Sequence, residues 1–160
     1  MTDDEKMTLN EFHTKMGKKT NNGIWGVLDN DNPAGHELEE ALEMAYTSRY
    51  HWRQVGTLTN DVRAVYMICR VYAHMGKGDS AIAYGKLMLE LAKKSATEDK
   101  DNWADFDMPF VYEALAKAYA ADGNKKECAE YKKLSQALID KLEDKQDQEI
   151  CQGELDKVSC

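Results

Sequence analysis

Apolar residues recur every three or four positions through most of the chain. This spacing places them on one face of a helix, where they can pack on a core. It predicts five main helices, over about residues 36–55, 60–75, 80–94, 109–121 and 125–142. Glycine follows the first, second and fourth of these segments, as is common where a helix ends. The pattern therefore predicts an all-α fold.

The two ends of the chain have weaker patterns. Residues 1–35 are predicted to be a partly ordered N-terminal arm containing one short helix. The apolar residues expected to dock this arm on the body are Ile24, Trp25, Val27 and Leu28. Residues 36–143 are predicted to form a helical-repeat domain. Residues 144–160 are predicted to be a polar C-terminal tail that could add one or two further helical turns.

An internal repeat appears when the chain is shifted by 47 residues. Identical pairs at this shift include Tyr72 and Tyr119, Gly76 and Gly123, Tyr84 and Tyr131, and Leu91 and Leu138. Each pair keeps its place within a helix–glycine–helix unit. Such repetition is typical of folds in which one helical unit stacks on the next.

The repeated unit, with its small residue, tyrosine and glycine at fixed offsets, resembles a tetratricopeptide repeat. This resemblance implies a right-handed stack of antiparallel helix pairs. From about residue 45 onward the chain also resembles a family of small, uncharacterised bacterial proteins with this kind of fold. The shared motifs are "SRYHW" (48–52), "VGT" (55–57), "RVYA" (70–73), "DFD" (105–107) and "YEALA" (112–116). The resemblance implies a fold and no particular reaction.

The chain departs from that family's pattern at three places. Leu58 stands where a proline is expected, "AVY" (64–66) replaces Gly-Glu-Trp, and Cys69 replaces a serine. If the missing glutamate carried an activity in the family, this chain would lack that activity.

Charge and composition exclude several classes of function. The formal net charge is −8 and the isoelectric point is about 5.0, which argues against a nucleic-acid-binding surface and against binding to anionic membranes. No apolar run has the length of a signal peptide or a membrane span, so a cytoplasmic location is expected. The four widely spaced cysteines are expected to be free thiols.

The sequence carries no recognisable catalytic or metal-binding motif. The four histidines (13, 36, 51 and 74) share no metal-ligand spacing, and no cysteine lies at a zinc-ligand distance from another. No nucleophile stands beside an activating partner, and there is no phosphate-binding loop. We therefore expect no catalytic residue, no metal site and no cofactor.

The "SRYHW" segment is predicted to be a structural cluster. Trp52 falls on the same helical face as Ala41 and Ala45, which places it in the core. Arg49 lies on another face and is expected to anchor an acidic group elsewhere in the chain. His51 could titrate near neutral pH, but a lone helical histidine is more often a hydrogen-bonded or surface residue.

The "DFD" segment is the expected acidic partner. Asp105 and Asp107 flank Phe106, a spacing that in an extended chain points both carboxylates to one side. The candidate basic partners are Arg49, Arg63 and Arg70. Such a pair would tie the acidic loop 95–108 to the helices.

A concave groove is the predicted binding site, since the first helix of each unit lines an inner surface in folds of this type. The residues placed on that surface are Arg63, Tyr66, Arg70, His74, Phe110, Glu113 and Lys117. They predict a non-enzymatic interaction or adaptor protein that binds a peptide or acidic segment of a protein partner. The alternatives are a small-molecule-binding or catalytic pocket between the helix at 36–55, the acidic loop and Arg70, and a ligand-free homodimer. The arginines could also be paired with "DFD" or Glu113, which would leave the groove without a free cation.

Overall fold

The computed structural model describes residues 6–160, which form seven helices and no strand. The helices are α1 (Leu9–Leu28), α2 (Gly35–Val55), α3 (Leu58–His74), α4 (Gly78–Glu98), α5 (Asp107–Ala121), α6 (Lys125–Ile139) and α7 (Lys145–Asp156). The all-α prediction is confirmed, but residues 6–160 form seven helices where five main ones were predicted, and the predicted segments overlap α2–α6. Each helix packs against the next one in the chain, and contacts also join α1 to α3, α3 to α5 and α5 to α7. The odd-numbered helices therefore form one continuous row.

Helix α1 is longer than the short helix predicted in the N-terminal arm. It spans 20 residues and begins with a capping box, in which the Thr8 hydroxyl accepts the Glu11 N–H and the Glu11 carboxylate accepts the Thr8 N–H. Ile24 and Leu28 are buried, and Trp25 and Val27 pack beside them, so the predicted docking is confirmed.

Helix α7 forms where a polar tail was predicted. The Asp144 carboxylate caps it by accepting the Asp147 N–H at 2.8 Å. Leu155 and Val158 are buried in a second apolar cluster that includes Ile139 of α6. Residues 144–160 therefore belong to the folded body.

A disulfide joins Cys128 of α6 to Cys160, so the prediction of four free thiols is wrong. Cys69 and Cys151 are free and buried, and burial raises the pKa of Cys69 to about 12 and that of Cys151 to about 11. The cysteines therefore give no support to the predicted cytoplasmic location. Among residues 6–160, no helix combines the length and apolar character needed to cross a membrane.

The turns after α3 and α5 have the same backbone structure. Gly76 and Gly123 have φ of 75° and 76°, a left-handed conformation that favours glycine. The residue after each glycine donates its N–H to the carbonyl of Tyr72 or Tyr119, at 2.9 Å in both turns. This is the hydrogen bond that closes a helix end of the Schellman type. The equivalence of the two turns, predicted from the 47-residue shift, is confirmed.

The stacked tyrosines repeat in the same way. The ring of Tyr72 stacks on Tyr84 of the following helix at 5.7 Å, and Tyr119 stacks on Tyr131 at 5.6 Å. In the first unit, the hydroxyl of Tyr46 also hydrogen-bonds to Tyr72 and Tyr84, at 2.8 and 3.0 Å. Each tyrosine pair thus joins the two helices of one unit.

Helix α4 extends to Glu98, so the predicted acidic loop 95–108 is reduced to about residues 99–106. Asp99 fixes the start of this loop to α3. Its carboxylate accepts the Thr59 N–H at 3.0 Å and the Thr59 hydroxyl at 2.7 Å. A hydrogen bond from the Asn102 side chain at 2.7 Å, together with these bonds from Thr59, holds the pKa of Asp99 below its usual range.

Candidate functional site

The middle of the predicted groove is a buried cluster of charged residues, referred to here as the central charge cluster. Arg70 of α3 is only 3% exposed. Its guanidinium donates to Glu113 of α5 at 2.9 Å and to Glu154 of α7 at 3.1 Å. The Tyr66 hydroxyl donates to Glu113 at 3.1 Å and accepts from Arg70, and the Lys117 ammonium lies 2.7 Å from Glu113. These contacts join three helices of the odd-numbered row.

The charges in this cluster balance, since two cations face two carboxylates. Burial alone would lower the pKa of Arg70, but the adjacent Glu113 carboxylate raises it overall, and the residue stays charged. Burial lowers the pKa of Lys117, and it raises that of Tyr66 well above its usual value. No buried side-chain N or O atom in residues 6–160 lacks a hydrogen-bond partner. Arg70 is therefore paired with Glu113 and Glu154, the alternative left open above, and it offers no free cation to a ligand in the groove.

Helix α1 packs over the central charge cluster through Trp25. The ring of Trp25 lies 5.7 Å from the Arg70 guanidinium and 6.3 Å from the Tyr66 ring. Farther along α3, a ring nitrogen of His74 lies 2.8 Å from the carbonyl oxygen of Asn30. The chain's own first helix and the loop after it thus close the centre of the groove and divide its two ends.

The pair of Arg63 and Asp107 confirms that "DFD" ties the loop to the helical body. Two hydrogen bonds, both 2.9 Å, run from Nε and Nη2 of Arg63 to the two carboxylate oxygens of Asp107. Hydrogen bonding to Asp107 raises the pKa of Arg63. The Asp107 carboxylate also accepts the Ala104 N–H at 2.8 Å. Asp105 is exposed and Asp107 begins α5, so the predicted extended geometry is wrong.

An apolar pocket of about 160 Å³ opens beside this pair, and we call it the Trp25 pocket. Its lining residues are Asn21, Trp25, Val62, Arg63, Tyr66, Met67, Phe106, Asp107, Phe110 and Val111. Four of these are aromatic, and they come from α1, α3, α5 and the turn before α5. A cavity of about 150 Å³ in another protein holds benzene, so this space suits one aromatic or branched side chain.

Arg63 offers the accessible charge of the Trp25 pocket. Its side chain is 43% exposed, whereas that of Asp107 is 5% exposed. The guanidinium lies 5.4 Å from the centre of the Phe106 ring, which holds it in place together with Asp107. The Nη1 group takes no part in the bonds to Asp107. Within residues 6–160 the Nη1 group has no hydrogen-bond partner, so a fixed guanidinium with one unused donor group lies at the edge of an apolar pocket.

A larger pocket of about 280 Å³ lies at the other end of the groove and includes Arg70, His74, Lys117 and Lys157. The first three are predicted groove residues. Lys157 is 2.9 Å from Glu154, and Lys117 is also 3.4 Å from Glu154. Since its buried cations already face carboxylates, this end of the groove does not favour an anionic ligand.

The "SRYHW" segment attaches α2 to α1. Ser48 is fully buried, and its hydroxyl donates to the Gly17 carbonyl at 3.0 Å. The Trp52 ring covers the same glycine: a Cβ atom added to Gly17 would lie 2.8 Å from it. Trp52 is half-buried and lies outside the main core cluster, so its predicted core position is wrong.

Two further contacts involve this segment. Arg49 pairs with Asp61 of α3 at 2.8 Å, so that of the three candidate partners for "DFD" it is Arg63 that forms the pair. His51 lies beside His13 of α1, with their Nδ1 atoms 2.8 Å apart. Within residues 6–160, no group of three or more histidine, cysteine or acidic side chains is arranged to hold a metal ion. The predicted structural role of this cluster is consistent with these contacts.

Sequence reasoning missed several residues of the site, among them Trp25 and Glu154. Trp25 was predicted to dock the arm, but nothing in its spacing showed that it would wall a pocket against α3. Glu154 lies in a polar segment, and its only signal was the apolar Leu155 beside it, which implied that this turn packs on the body.

Fold and site together define an all-α protein with an apolar pocket between the first, third and fifth helices. No family model, curated protein or solved structure matches the chain.

Proposed function

We propose that the protein is a non-enzymatic peptide-binding protein. The Trp25 pocket takes one apolar side chain of the peptide, and Arg63 binds a carboxylate next to that side chain. The observation that carries this proposal is the half-exposed Arg63 guanidinium at the edge of an aromatic-walled pocket. The proposed binding site is thus smaller than the whole predicted groove, because the buried cations at the other end already face carboxylates.

The apolar part of the interaction supplies most of the binding free energy. Burying one aromatic or branched side chain removes apolar area from water and contributes about 1.5–3 kcal/mol. The aromatic walls also favour offset or edge-to-face ring contacts, like the one at 5.7 Å between Tyr66 and Phe110. An aromatic or branched aliphatic anchor is therefore favoured over a small polar residue.

The charged part supplies selectivity. Asp107 and Phe106 fix the Arg63 guanidinium, so little conformational entropy is lost when its Nη1 group binds a carboxylate. Asp107 also neutralises much of the arginine's charge, which makes the attraction weak. A single-residue probe is thus expected to bind with a Kd of about 0.1–1 mM.

We propose in addition that the helices stack as in tetratricopeptide-repeat proteins, with the odd-numbered row as the inner layer. The support is the pair of equivalent glycine turns and the two equivalent tyrosine stacks. In a crystal structure, residues 65–92 should superpose on residues 112–139 with the same helix order and crossing. A different crossing of the two segments would contradict the stacking.

The binding proposal is tested with N-acetyl-L-phenylalanine and its C-terminal amide. These probes share the apolar side chain and differ in the carboxylate. Calorimetry or NMR titration should show the acid binding about fivefold tighter than the amide, with the difference shrinking as salt is added. Arg63→Gln should remove the difference, whereas Arg53→Gln, on an exposed arginine of α2, should leave it unchanged. Equal affinities for acid and amide, or no binding of either at 10 mM (about the weakest Kd of interest), would overturn the proposal.

A further inference from the structure

The apolar surface of the Trp25 pocket continues toward α7. Phe106 and Phe110 also line a second pocket, of about 140 Å³, together with Asp147 and Ile150. We call this second pocket the α7 subsite. The two rings meet edge to face at 6.3 Å and so form a ridge shared by both pockets. Ile150 is 51% exposed and lines this subsite, whereas Cys151 and Leu155 of the same helix are buried in the apolar cluster that includes Ile139 of α6.

The two pockets carry opposite charges at their outer ends. Arg63 lies at the edge of the Trp25 pocket, and Asp147 lies in the α7 subsite. Asp147 is half-buried and takes part in no ion pair within residues 6–160. A ligand crossing the ridge would meet a cation at one end and an anion at the other.

We infer that the α7 subsite receives a second apolar side chain and a basic group of the same peptide. The inference rests on the proposed function for the first anchor and extends it to a class of ligand. The ligand is a peptide segment with an apolar residue and a carboxylate at its C-terminal end. On the N-terminal side it has a second apolar residue preceded by lysine or arginine. Charge complementarity at both ends of one apolar surface selects this chemistry over an all-acidic segment.

Three probes separate the two sites: N-acetyl-phenylalanine, the tripeptide acetyl-Lys-Leu-Phe and the tripeptide acetyl-Glu-Leu-Phe, each with a free C-terminal carboxylate. The phenylalanine ring and carboxylate address the Trp25 pocket and Arg63 in all three. Leucine then reaches the ridge and Ile150, and the first residue reaches Asp147. By calorimetry, acetyl-Lys-Leu-Phe should bind about tenfold tighter than N-acetyl-phenylalanine, and about threefold to tenfold tighter than acetyl-Glu-Leu-Phe.

Variants on α7 then locate the preference. Asp147→Asn should remove the difference between the two tripeptides, and Glu149→Gln, on an exposed acid two residues away, should preserve it. Ile150→Ser should weaken both tripeptides while leaving N-acetyl-phenylalanine unaffected. Circular dichroism checks that α7 stays folded. If Asp147→Asn unfolds α7, the subsite is tested instead by comparing the affinities of the two tripeptides for the wild-type protein and for Ile150→Ser.

The outcomes distinguish this inference from the function on which it rests. If N-acetyl-phenylalanine binds through Arg63 but the wild-type protein does not prefer the lysine peptide, the α7 subsite is wrong and the proposed function stands. If the preference is present but Glu149→Gln removes it as fully as Asp147→Asn, general charge attraction explains it and the subsite is wrong. If none of the probes binds, the proposed function fails and this inference with it.

Discussion

The Nδ1 atoms of His13 and His51 lie 2.8 Å apart, with their ring centres 5.1 Å apart, so the two imidazoles face each other through these nitrogens. One Nδ1 must donate a hydrogen and the other must accept it, because two protonated nitrogens would repel at this distance. The hydrogen bond joins α1 to α2 near the start of α1. This contact therefore requires that at least one of the two rings be neutral.

The pairing predicts a loss of stability at mildly acidic pH. Burial lowers the pKa of His51 from 6.5, and the nearby His13 lowers it further. Between pH 6.5 and its lower pKa in the folded protein, His51 is mostly protonated in the unfolded chain and mostly neutral in the folded protein. The free energy of unfolding therefore falls as the pH drops through this range. Urea melts at pH 7.5 and 5.5 should show a smaller pH effect in His51→Gln than in the wild type. His36→Gln, on an exposed histidine of α2, serves as the control, and an equal pH effect in both variants would contradict the prediction.

The central charge cluster predicts a large cost for removing its shared acceptor. Glu113→Ala leaves Arg70 with one carboxylate partner and deprives Tyr66 of its acceptor in a dry interior. Such a loss typically destabilises a protein by about 3–5 kcal/mol. The cost is measured by denaturant unfolding of this variant. Glu90→Ala, on an exposed acid of α4, is the control. A cost within about 0.5 kcal/mol of the control would show that the cluster is hydrated and loosely held.

Two glycines of α1 predict opposite effects of the same substitution. Replacing a helical glycine by alanine usually stabilises by up to about 1 kcal/mol. Gly26→Ala should behave in this way, because nothing lies within 4 Å of its added Cβ. Gly17→Ala places that atom 2.8 Å from the rigid Trp52 ring and should cost about 1–2 kcal/mol by overpacking. Thermal melts of the two variants make the test, and stabilisation by both would mean that Trp52 moves aside freely.

The disulfide predicts that reduction loosens the C-terminal end. Cys128 and Cys160 are 32 residues apart, and a loop of this size contributes about 3–4 kcal/mol in the chain-entropy account. Cys160→Ser should therefore lower the midpoint of unfolding, and a reducing agent should lower that of the wild type but not of this variant. Hydrogen exchange in α7 should rise in both cases. Unchanged exchange in α7 would show that Leu155 and its apolar neighbours hold the helix without the disulfide.

Periodicity predicted the helices whose buried faces are continuous. In α3, residues such as Val62, Val65 and Ile68 recur at helical spacing and lie in the core, so pattern and structure agree. Helix α7 buries far fewer apolar side chains, chiefly Cys151 and Leu155, and most of its length is polar. With so little of it buried, the pattern could not distinguish this helix from a tail.

The site was less predictable than the fold because its contacts are long-range. Arg63 and Arg70 were correctly placed near acids, but their partners depend on how α5 and α7 pack on α3. Glu154 is 84 residues from Arg70, and no local spacing indicates such a pair. The same holds for His13 and His51, which meet only because α1 lies along α2.

The disulfide also determines how mechanical tension would travel through the molecule. The sulfur of Cys160 is bonded to that of Cys128 in the first turn of α6. A force applied at Cys160 would enter the fold at Cys128 and bypass residues 129–159. In a pulling experiment under oxidising conditions, α7 and most of α6 would bear no force while α1–α5 extend. The length of residues 129–159 would be released only after the disulfide is reduced.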